Sequence, residues 1–164
     1  MTFSTPDICD NFSDQLQVLE PLFTEFGGKE KFSGEIVTIK CFEDNSFVKQ
    51  TLGTAGHGKV LVVDGGGSLR CALLGDLLGA MAVDNGWQGI LIYGCVRDVE
   101  ILKSMDLGVR ALNSYPLKSN KRGEGQLNAS IRFAGVGFEP GQYLYADENG
   151  IVVARQNLDL NLNG

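Results

Sequence analysis

The sequence predicts an α/β fold in which a parallel central sheet carries an additional antiparallel layer. Two apolar runs, KVLVVD at 59–64 and GILIYG at 89–94, are typical of buried strands, and a helical pattern separates them. Strand, helix and strand in this order form a βαβ unit, whose two strands are parallel. Downstream of residue 115 the pattern instead alternates and contains an Asn-Gly turn, which predicts antiparallel strands.

The first third of the chain contributes a helix, a strand and a second helix. The segment STPDICDNF, 4–12, places a Ser/Thr cap and a proline at the start of a short helix. The segment GEIVTIKCF, 34–42, alternates and therefore predicts a strand with one buried face. EDNSFVKQTL, 43–52, predicts a helix that returns along the sheet.

The middle third repeats the strand and helix arrangement. ALLGDLLGAMAVDNG, 72–86, predicts the crossover helix of the βαβ unit. Its apolar side chains at helical spacing are Leu74, Leu77, Leu78 and Met81. RDVEILKSMD, 97–106, predicts a further helix and GVRALN, 108–113, a further strand. The topology of the unit is thus repeated, although its sequence is not.

The last third predicts the antiparallel layer. QLNASIRFAG, 126–135, alternates strictly, and QYLYADENGIVVA, 142–154, predicts two strands joined by the Asn-Gly turn. RQNLDLNLNG, 155–164, is interpreted as a loose end. Residues 1–164 are predicted to form one domain, which at this length buries roughly 70% of the surface of the unfolded chain. Stability then requires neither a metal nor a disulfide, so a bound metal would be functional.

Composition excludes several classes of protein. A net charge of −6 disfavours a direct nucleic-acid-binding surface, and the short basic cluster KSNKR, 118–122, is interpreted as a solvated loop. No apolar run approaches the ~20 residues of a membrane span, and the N-terminus lacks a secretory leader pattern. The four cysteines show no CxxC pairing, which indicates buried free thiols in a reducing compartment. A soluble, cytoplasmic protein is expected.

Candidate functional residues follow the two parallel strands, because ligands of open α/β sheets bind beyond the carboxyl ends of the strands. The first strand is followed by Asp64 and a triple glycine, 65–67, which matches neither GxGxxG nor GxxxxGK[ST]. This glycine run is interpreted as a turn that requires positive φ, and no nucleotide is assigned to it.

The segment GDLL, 75–78, offers a site for a small carboxylate. If Gly75 and Asp76 begin the helix, the amides of Leu77 and Leu78 have no intrahelical acceptor and can bind an anion. The alternative is that Asp76 caps the helix or is an ordinary surface acid.

Arg97 and Asp98 follow the second strand, and the βαβ geometry predicts that they share a crevice with Asp76. Arginine offers a planar fork to a carboxylate or an enolate, and aspartate offers an oxygen ligand to a divalent cation. A single aspartate suits Mg²⁺ or Mn²⁺ that keeps several waters and is completed by a chelating substrate. Alternatively, Asp98 caps the next helix and Arg97 pairs with Glu100.

Other chemistry lacks the necessary residues. The single histidine, His57, lies between glycines, so one chain can assemble neither a zinc cluster nor a Ser-His-Asp triad, and His57 is interpreted as a loop residue. The cysteines have no evident partner for nucleophilic catalysis and are assigned a structural role.

Four segments carry a resemblance to a known family, and they are VEPLFTEFGGKEKFSGEIVTIKCFEDN, GKVLVVDGGGSLRCALLGD, NGWQGILIYGCVRDVEILKSMDLGVRAL and LYADENGIVVA. Together they resemble the family of the regulator of ribonuclease activity A, and the likeness covers nearly the whole chain. The family includes inhibitors of the endoribonuclease of the RNA degradosome. It also includes metal-dependent aldolases that cleave 4-hydroxy-4-methyl-2-oxoglutarate and decarboxylate oxaloacetate. The aldolases are marked by an aspartate, twenty intervening residues and Arg-Asp, which Asp76, Arg97 and Asp98 match.

The resemblance implies roles for these positions, as well as a swivelling β/β/α-type fold and a homotrimer with sites near the subunit interfaces. Substrate contacts would come from Gly75, Asp76, Leu77, Leu78 and Arg97, and the metal ligand would be Asp98. Arg97 and Asp76 are the predicted catalytic residues, and the base for the aldol cleavage is expected to be a water activated near Asp76 and the metal. Longer aldolases of the family carry a C-terminal extension that this sequence lacks after Gly164, which favours decarboxylation over cleavage of the larger substrate. The alternative function is an acidic docking module that inhibits a ribonuclease without an active site.

Overall fold

The computed structural model describes residues 2–160, which form short helices around one large sheet. The helices are α1 (Thr5–Phe12), α2 (Ser46–Leu52), α3 (Asp76–Asp84) and α4 (Val99–Leu102), with a 3₁₀ turn at Ser13–Gln15. The strands are β1 (Leu16–Val18), β2 (Thr24–Glu25), β3 (Phe32–Lys40), β4 (Lys59–Asp64), β5 (Ala72–Leu74), β6 (Gly89–Val96), β7 (Gly108–Ser114), β8 (Gln126–Leu127), β9 (Ile131–Phe133), β10 (Val136–Phe138), β11 (Tyr143–Asp147) and β12 (Gly150–Ala154).

The large sheet has ten strands and is parallel at its centre. Its order is β1-β12-β11-β3-β4-β6-β7-β2, and β5 and β8 pair with β6 and β3 respectively. The neighbours from β3 through β4 and β6 to β7 are parallel, whereas β11 and β12 add antiparallel strands. This arrangement confirms the predicted α/β fold with a parallel centre and an antiparallel layer. The prediction of one domain over 1–164 stays a prediction.

Both faces of the central strands are covered. On one face, Ile39 packs in a cluster that includes Val48 of α2 and Leu78 of α3. On the other face, Ile36 packs in a cluster that includes Phe133 and Val153 of the antiparallel strands. The prediction of a half-buried strand holds over 32–38, where buried and partly buried residues alternate, and fails at Ile39, which is buried against the helices. Helices cover one side of the sheet and strands cover the other.

Two predicted helices in the middle third are shorter than expected. Residues 72–74 form β5 instead of the first turn of a helix, because Leu74 pairs with Val96 at the end of β6. Leu74 is therefore a strand residue, and α3 begins only at Asp76. The helix predicted over 97–106 is the single turn α4, which begins after Asp98.

The C-terminal third matches the prediction in part. The hairpin of β11 and β12 forms with Asp147 opposite Gly150, as the Asn-Gly turn predicted. The alternating segment 126–135 is divided into two strands, because Asn128 adopts φ 58° between them. The tail is not loose over 155–160, since the Leu158 amide donates to the Tyr145 hydroxyl at 2.9 Å. Residues 161–164 of that predicted loose end lie outside the described residues.

The cysteines are free thiols, as predicted, and three of them are buried. Cys41, Cys71 and Cys95 lie in the interior, whereas Cys9 is half-buried. Burial raises the pKa of the Cys41 thiol to about 12, with a smaller contribution from the carboxylates of Asp44 and Asp64. Among residues 2–160, no helix is long and apolar enough to cross a membrane.

Candidate active site

The ends of two parallel strands create the candidate site. β5 ends at Leu74 and is followed by Gly75 and α3, and β6 ends at Val96 and is followed by Arg97 and Asp98. Leu74 lies opposite Val96, and the Arg97 amide donates to the Leu74 carbonyl at 2.9 Å. The two chain segments are thus joined through their backbones at the edge of the sheet where the sequence predicted a shared crevice.

The Asp98 side chain points to the neighbouring segment instead of capping its own helix. Asp98 adopts a left-handed conformation, φ 56° and ψ 42°, at the position before α4, and its carboxylate caps no amide of that helix. Its Oδ2 accepts instead from the Asp76 amide at 3.0 Å. The alternative in which the Asp98 side chain caps α4 is therefore wrong.

The Arg97 side chain also differs from the alternative, which paired it with Glu100. Within residues 2–160 it forms no ion pair with Glu100. Its Nη1 donates to the Pro116 carbonyl at 3.4 Å, a long contact that leaves the other nitrogens of the fork available. Arg97 as a whole is half-buried and lines the cavity described below.

Position 75 requires a glycine because a side chain would not fit there, and not because of the backbone conformation. Its φ of −141° is extended and open to any residue. A Cβ at this position, however, would lie 2.6 Å from Oδ2 of Asp98 and 3.3 Å from Cγ of Arg97. The absence of a side chain at position 75 is what allows the carboxylate of Asp98 to reach the start of α3.

The start of α3 differs from the prediction in one detail. Oδ1 of Asp76 accepts from the Leu77 amide at 2.9 Å, so this amide is partnered, and Asp76 caps the first turn as the alternative proposed. Gly75 precedes the helix and has no side chain that could cap it. The Leu78 amide therefore has no intrahelical acceptor. The Leu77 side chain is 80% exposed and therefore does not belong to the core.

A cavity of about 310 Å³ connects all six predicted positions. Its lining residues are Asn45, Lys49, Ala72, Leu74, Gly75, Asp76, Leu77, Leu78, Met81, Arg97, Asp98, Lys118 and Lys121. Asn45 and the three lysines were not among the residues predicted from the sequence. The pattern contained a signal for Lys118 and Lys121, which belong to its basic cluster, but it did not show that the cluster lies beside the strand ends.

Asn45 links α2 to this cavity. Its Nδ2 donates to the Leu73 carbonyl at 3.1 Å, and its amide donates to Oγ of Ser119 at 3.2 Å. Its Oδ1 is buried without a hydrogen-bond partner in the described part of the chain. The residue therefore ties α2, β5 and the segment 117–124, which we call the lysine loop, to one wall of the cavity.

A buried carboxylate anchors the lysine loop. Asp44 is fully buried, and its Oδ2 accepts from the amides of Arg122 at 2.9 Å and Glu124 at 3.0 Å. Burial alone would raise the pKa of Asp44, but hydrogen bonds from Ser46 and from these amides outweigh it and hold the pKa far below its usual range. The interpretation of 118–122 as a solvated loop is thus incomplete, because Ser119 within it is only 4% exposed.

The carboxylates fit a sparsely liganded divalent cation better than a closed metal centre. No group of three or more His, Cys, Asp or Glu side chains within residues 2–160 is arranged to hold a metal. Asp98 lines the cavity, and one of its oxygens is oriented by the Asp76 amide. Mg²⁺ accepts one or two protein carboxylates and retains waters, so this donor set fits Mg²⁺ or Mn²⁺ and does not fit structural zinc.

Two other features of the sequence lie away from the cavity lining. Gly66 and Gly67 adopt φ of 69° and 73°, which agrees with the interpretation of the triple glycine as a turn. His57 is exposed in a loop and forms an isolated bridge with Trp87.

Comparison with known proteins identifies relatives over nearly the full length. Residues 5–153 match the model of the RraA-like family, described as Aldolase/RraA. A protein of Pseudomonas fluorescens Pf0-1 is 58% identical over 96% of this chain and 97% of its own length, and it is named "Putative 4-hydroxy-4-methyl-2-oxoglutarate aldolase". A protein of Azotobacter vinelandii with the same name is 58% identical over 98% of this chain and 99% of its own length.

Two solved structures share the fold at full length. A Geobacillus kaustophilus protein described as an S-adenosylmethionine:2-dimethylmenaquinone methyltransferase matches with a TM-score of 0.94 and 48% identity, over 99% of this chain and 100% of its own. The RNA-processing inhibitor RraA from Thermus matches with a TM-score of 0.94 and 39% identity, over 98% and 97%. The predicted RraA-like fold is thereby confirmed.

Proposed function

This chain belongs to the RraA-like family, and from that premise we propose that it is a divalent-metal-dependent lyase that forms pyruvate from small 2-keto acids. The reactions proposed are cleavage of 4-hydroxy-4-methyl-2-oxoglutarate and decarboxylation of oxaloacetate. The observation that carries the proposal is the meeting of Asp76, Arg97 and Asp98 in one cavity, with the Asp98 carboxylate turned away from its own helix. Relatives at 58% identity carry the name of this aldolase.

Substrate binding is assigned to the start of α3 and to Arg97. The 1-carboxylate of the keto acid lies at the first turn of α3, where the Leu78 amide lacks an intrahelical acceptor and the helix dipole favours an anion. Gly75 keeps this approach open, and the fork of Arg97, whose side chain lies beside Gly75, donates to the keto acid. Leu77 lies in the same turn, but its amide already donates to the Asp76 side chain.

Asp98 is the proposed ligand of the cation, Mg²⁺ or Mn²⁺. When bound, such a cation supplies Lewis-acid polarisation of the keto oxygen. The hydrogen bond from the Asp76 amide fixes the orientation of the Asp98 carboxylate before any substrate arrives.

Both reactions break the C3–C4 bond and leave its electron pair on the pyruvyl fragment as an enolate. Arg97 stabilises the negative charge that develops on the enolate oxygen, which is absent from the neutral keto group of the ground state. In the aldol cleavage, Asp76 holds a water that accepts the proton of the 4-hydroxyl, because no histidine lines the cavity. Protonation of C3 then gives pyruvate in both reactions.

The proposal is tested by pyruvate release from oxaloacetate with Mg²⁺. The comparison includes the unaltered protein, the same protein with EDTA, and Asp98→Ala, because free Mg²⁺ alone decarboxylates oxaloacetate and the variant corrects for this rate. Turnover that disappears in both controls supports the metal-dependent lyase. Equal rates for the unaltered protein and Asp98→Ala would refute it.

A second candidate function is inhibition of a ribonuclease through protein docking. It is favoured by the Thermus relative, which is described as an RNA-processing inhibitor, and by the net charge of −6, which suits a basic partner surface. Capture of a degradosome endoribonuclease that weakens at rising salt would support it. Docking does not require Asp76, Arg97 and Asp98 to meet, so the lyase is the function that the geometry supports better.

We further propose a homotrimer in the cytoplasm. Leu77 and Leu117 are 80% and 60% exposed next to the cavity mouth, where a neighbouring subunit would cover them. Light scattering that gives three times the 17.7 kDa chain mass would support the trimer.

The proposed location in the cytoplasm is supported by the free buried thiols, which favour a reducing compartment.

A further inference from the structure

We propose that a second cavity, beside Arg110, binds a free α-amino acid with a small apolar side chain. This cavity is lined by the end of β1 and the segment that follows it, by Arg110 of β7, and by the turn of the β11–β12 hairpin. It shares no lining residue with the candidate active site. The inference therefore does not depend on the proposed lyase function.

Arg110 is a buried cation whose guanidinium is held in a fixed position. Its side chain is 7% exposed, and its Nε donates to Oε1 of Glu25 at 2.9 Å. Its Nη2 donates to the carbonyls of Glu30 at 2.8 Å and Asp147 at 2.9 Å. Its Cζ lies 5.7 Å from the centre of the Phe32 ring. The planar fork is therefore oriented before any ligand arrives.

The remaining nitrogen of this guanidinium, Nη1, has no acceptor among residues 2–160. Arginine carries five N–H donors, and a buried cation with unused donors is destabilised unless a ligand or a water accepts from them. Nη1 is not sealed in the interior, because Asn45 Oδ1 is the only sealed polar side-chain atom without a partner in the described part of the chain. Since Arg110 lines the cavity, Nη1 is open to it and can donate to a carboxylate there.

The other charged groups of the cavity disfavour a simple anion. The charge of Arg110 is already neutralised by Glu25, and the exposed Glu20 and Glu148 add negative charge to the lining. Neither Glu20 nor Glu148 takes part in an ion pair formed within residues 2–160. A ligand with an ammonium group next to its carboxylate would pair with both kinds of residue, whereas a carboxylate alone would be repelled by the glutamates.

The size and polarity of the cavity indicate the rest of the ligand. Its volume of about 220 Å³ lies below the roughly 300 to 1,000 Å³ of sites for drug-sized ligands. Most of the remaining lining is apolar and consists of Val18, Leu19, Pro21, Phe23 and Ile151. An α-amino acid carries a carboxylate, an ammonium group and a side chain on one carbon, which matches these three kinds of lining residue. A peptide bond at either end would remove one of the two charges, so the occupant is a free amino acid.

The test is calorimetric titration of the protein with L-leucine. Two analogues each remove one charged group: 4-methylpentanoate lacks the ammonium group, and 3-methylbutylamine lacks the carboxylate. L-leucine should bind with a Kd of about 1 mM or tighter. Each analogue should bind at least about tenfold more weakly, because a charge-assisted hydrogen bond is lost.

Variants separate the contributions of the lining residues. The double variant Glu20→Gln, Glu148→Gln changes two exposed side chains and should weaken L-leucine by at least about tenfold, but not 4-methylpentanoate, which has no ammonium group. The double variant Glu25→Gln, Arg110→Gln should also lose L-leucine, and it leaves no unpaired buried charge that would prevent folding. The matched control is Asp106→Asn, which removes one exposed acid outside the cavity lining and should leave the Kd unchanged.

Arg97→Ala distinguishes this cavity from the candidate active site, which also offers donors to a carboxylate. L-leucine binding should be retained in this variant, and its loss would place the ligand in the active site and overturn the assignment. No binding to the unaltered protein, or an unchanged Kd in Glu20→Gln, Glu148→Gln, would also overturn it, because Nη1 of Arg110 would then be hydrated only. If the protein failed to decarboxylate oxaloacetate but bound L-leucine as described, the proposed function would fail and this inference would stand.

Discussion

Replacement of Gly75 by alanine should disable the site while the fold survives. The backbone at Gly75 is extended, so alanine adds no conformational strain there. The added Cβ would lie 2.6 Å from Oδ2 of Asp98, and this oxygen must retreat by about 0.8 Å to reach the ordinary contact distance of 3.4 Å. That movement stretches the 3.0 Å hydrogen bond from the Asp76 amide and displaces the proposed cation ligand.

The expected magnitudes for activity and for stability differ. A misplacement near 1 Å in a reacting constellation costs on the order of 100-fold in rate, so kcat/KM for oxaloacetate should fall by about that factor. The weakened hydrogen bond should cost roughly 1 to 2 kcal/mol of stability, which for a chain of this length lowers Tm by about 2 to 8 °C.

The assay compares pyruvate release with thermal unfolding for Gly75→Ala and a glycine control. Gly137→Ala is suitable, because a Cβ there meets nothing nearer than 3.4 Å, and β10 lies away from the cavity lining. The control should retain activity. A kcat/KM for Gly75→Ala within threefold of the unaltered protein would refute the argument that the glycine exists to let Asp98 approach α3.

Three further predictions concern charge. Arg97→Ala should reduce kcat for oxaloacetate by about 100-fold, the usual loss when one donor to a developing oxyanion is removed, and an unchanged kcat would exclude its role at the enolate. Asp44→Asn should lower the free energy of unfolding by about 3 kcal/mol at neutral pH. Because the folded pKa of Asp44 is depressed, this difference should persist above the unfolded pKa near 4 and shrink as pH falls below it, which denaturant titration at several pH values measures. Iodoacetamide at pH 8 should modify half-buried Cys9 before Cys41, whose thiol remains protonated, as mass spectrometry of peptides would show.

The local hydrophobic pattern predicted the secondary structure correctly where long-range strand pairing favours the same assignment. The centres of the runs at 59–64 and 89–94 are continuously apolar, since both faces of β4 and β6 are covered, and their strand assignment is confirmed. The pattern failed at 72–74, where the same leucine spacing is compatible with a helix. Pairing of Ala72 with Cys95 and of Leu74 with Val96 decides in favour of a strand, and this pairing joins residues more than twenty positions apart.

The part of the candidate site at the strand ends was predictable from the sequence, whereas the part contributed by the lysine loop was not. Asp76, Arg97 and Asp98 stand at strand ends, so topology alone brings them together. The lysine loop reaches the cavity through Asp44 and Asn45, which lie more than seventy residues earlier in the chain. Periodicity in the sequence carries no information about contacts at this separation. The basic cluster itself therefore does not indicate which part of the fold it contacts.

The carboxylate of Asp98 is held by the backbone of position 76 and not by its side chain. The identity of residue 76 can therefore change, for any residue with an amide hydrogen, without releasing that carboxylate. Arg97 and Asp98 are themselves only half-buried and add nothing to the two large apolar clusters of the sheet. A lineage with this fold can consequently lose or regain its chemistry by exchanging a few polar side chains while the scaffold stays intact. A catalytic protein and a purely regulatory one are then neighbours in sequence space, separated by little in folding free energy.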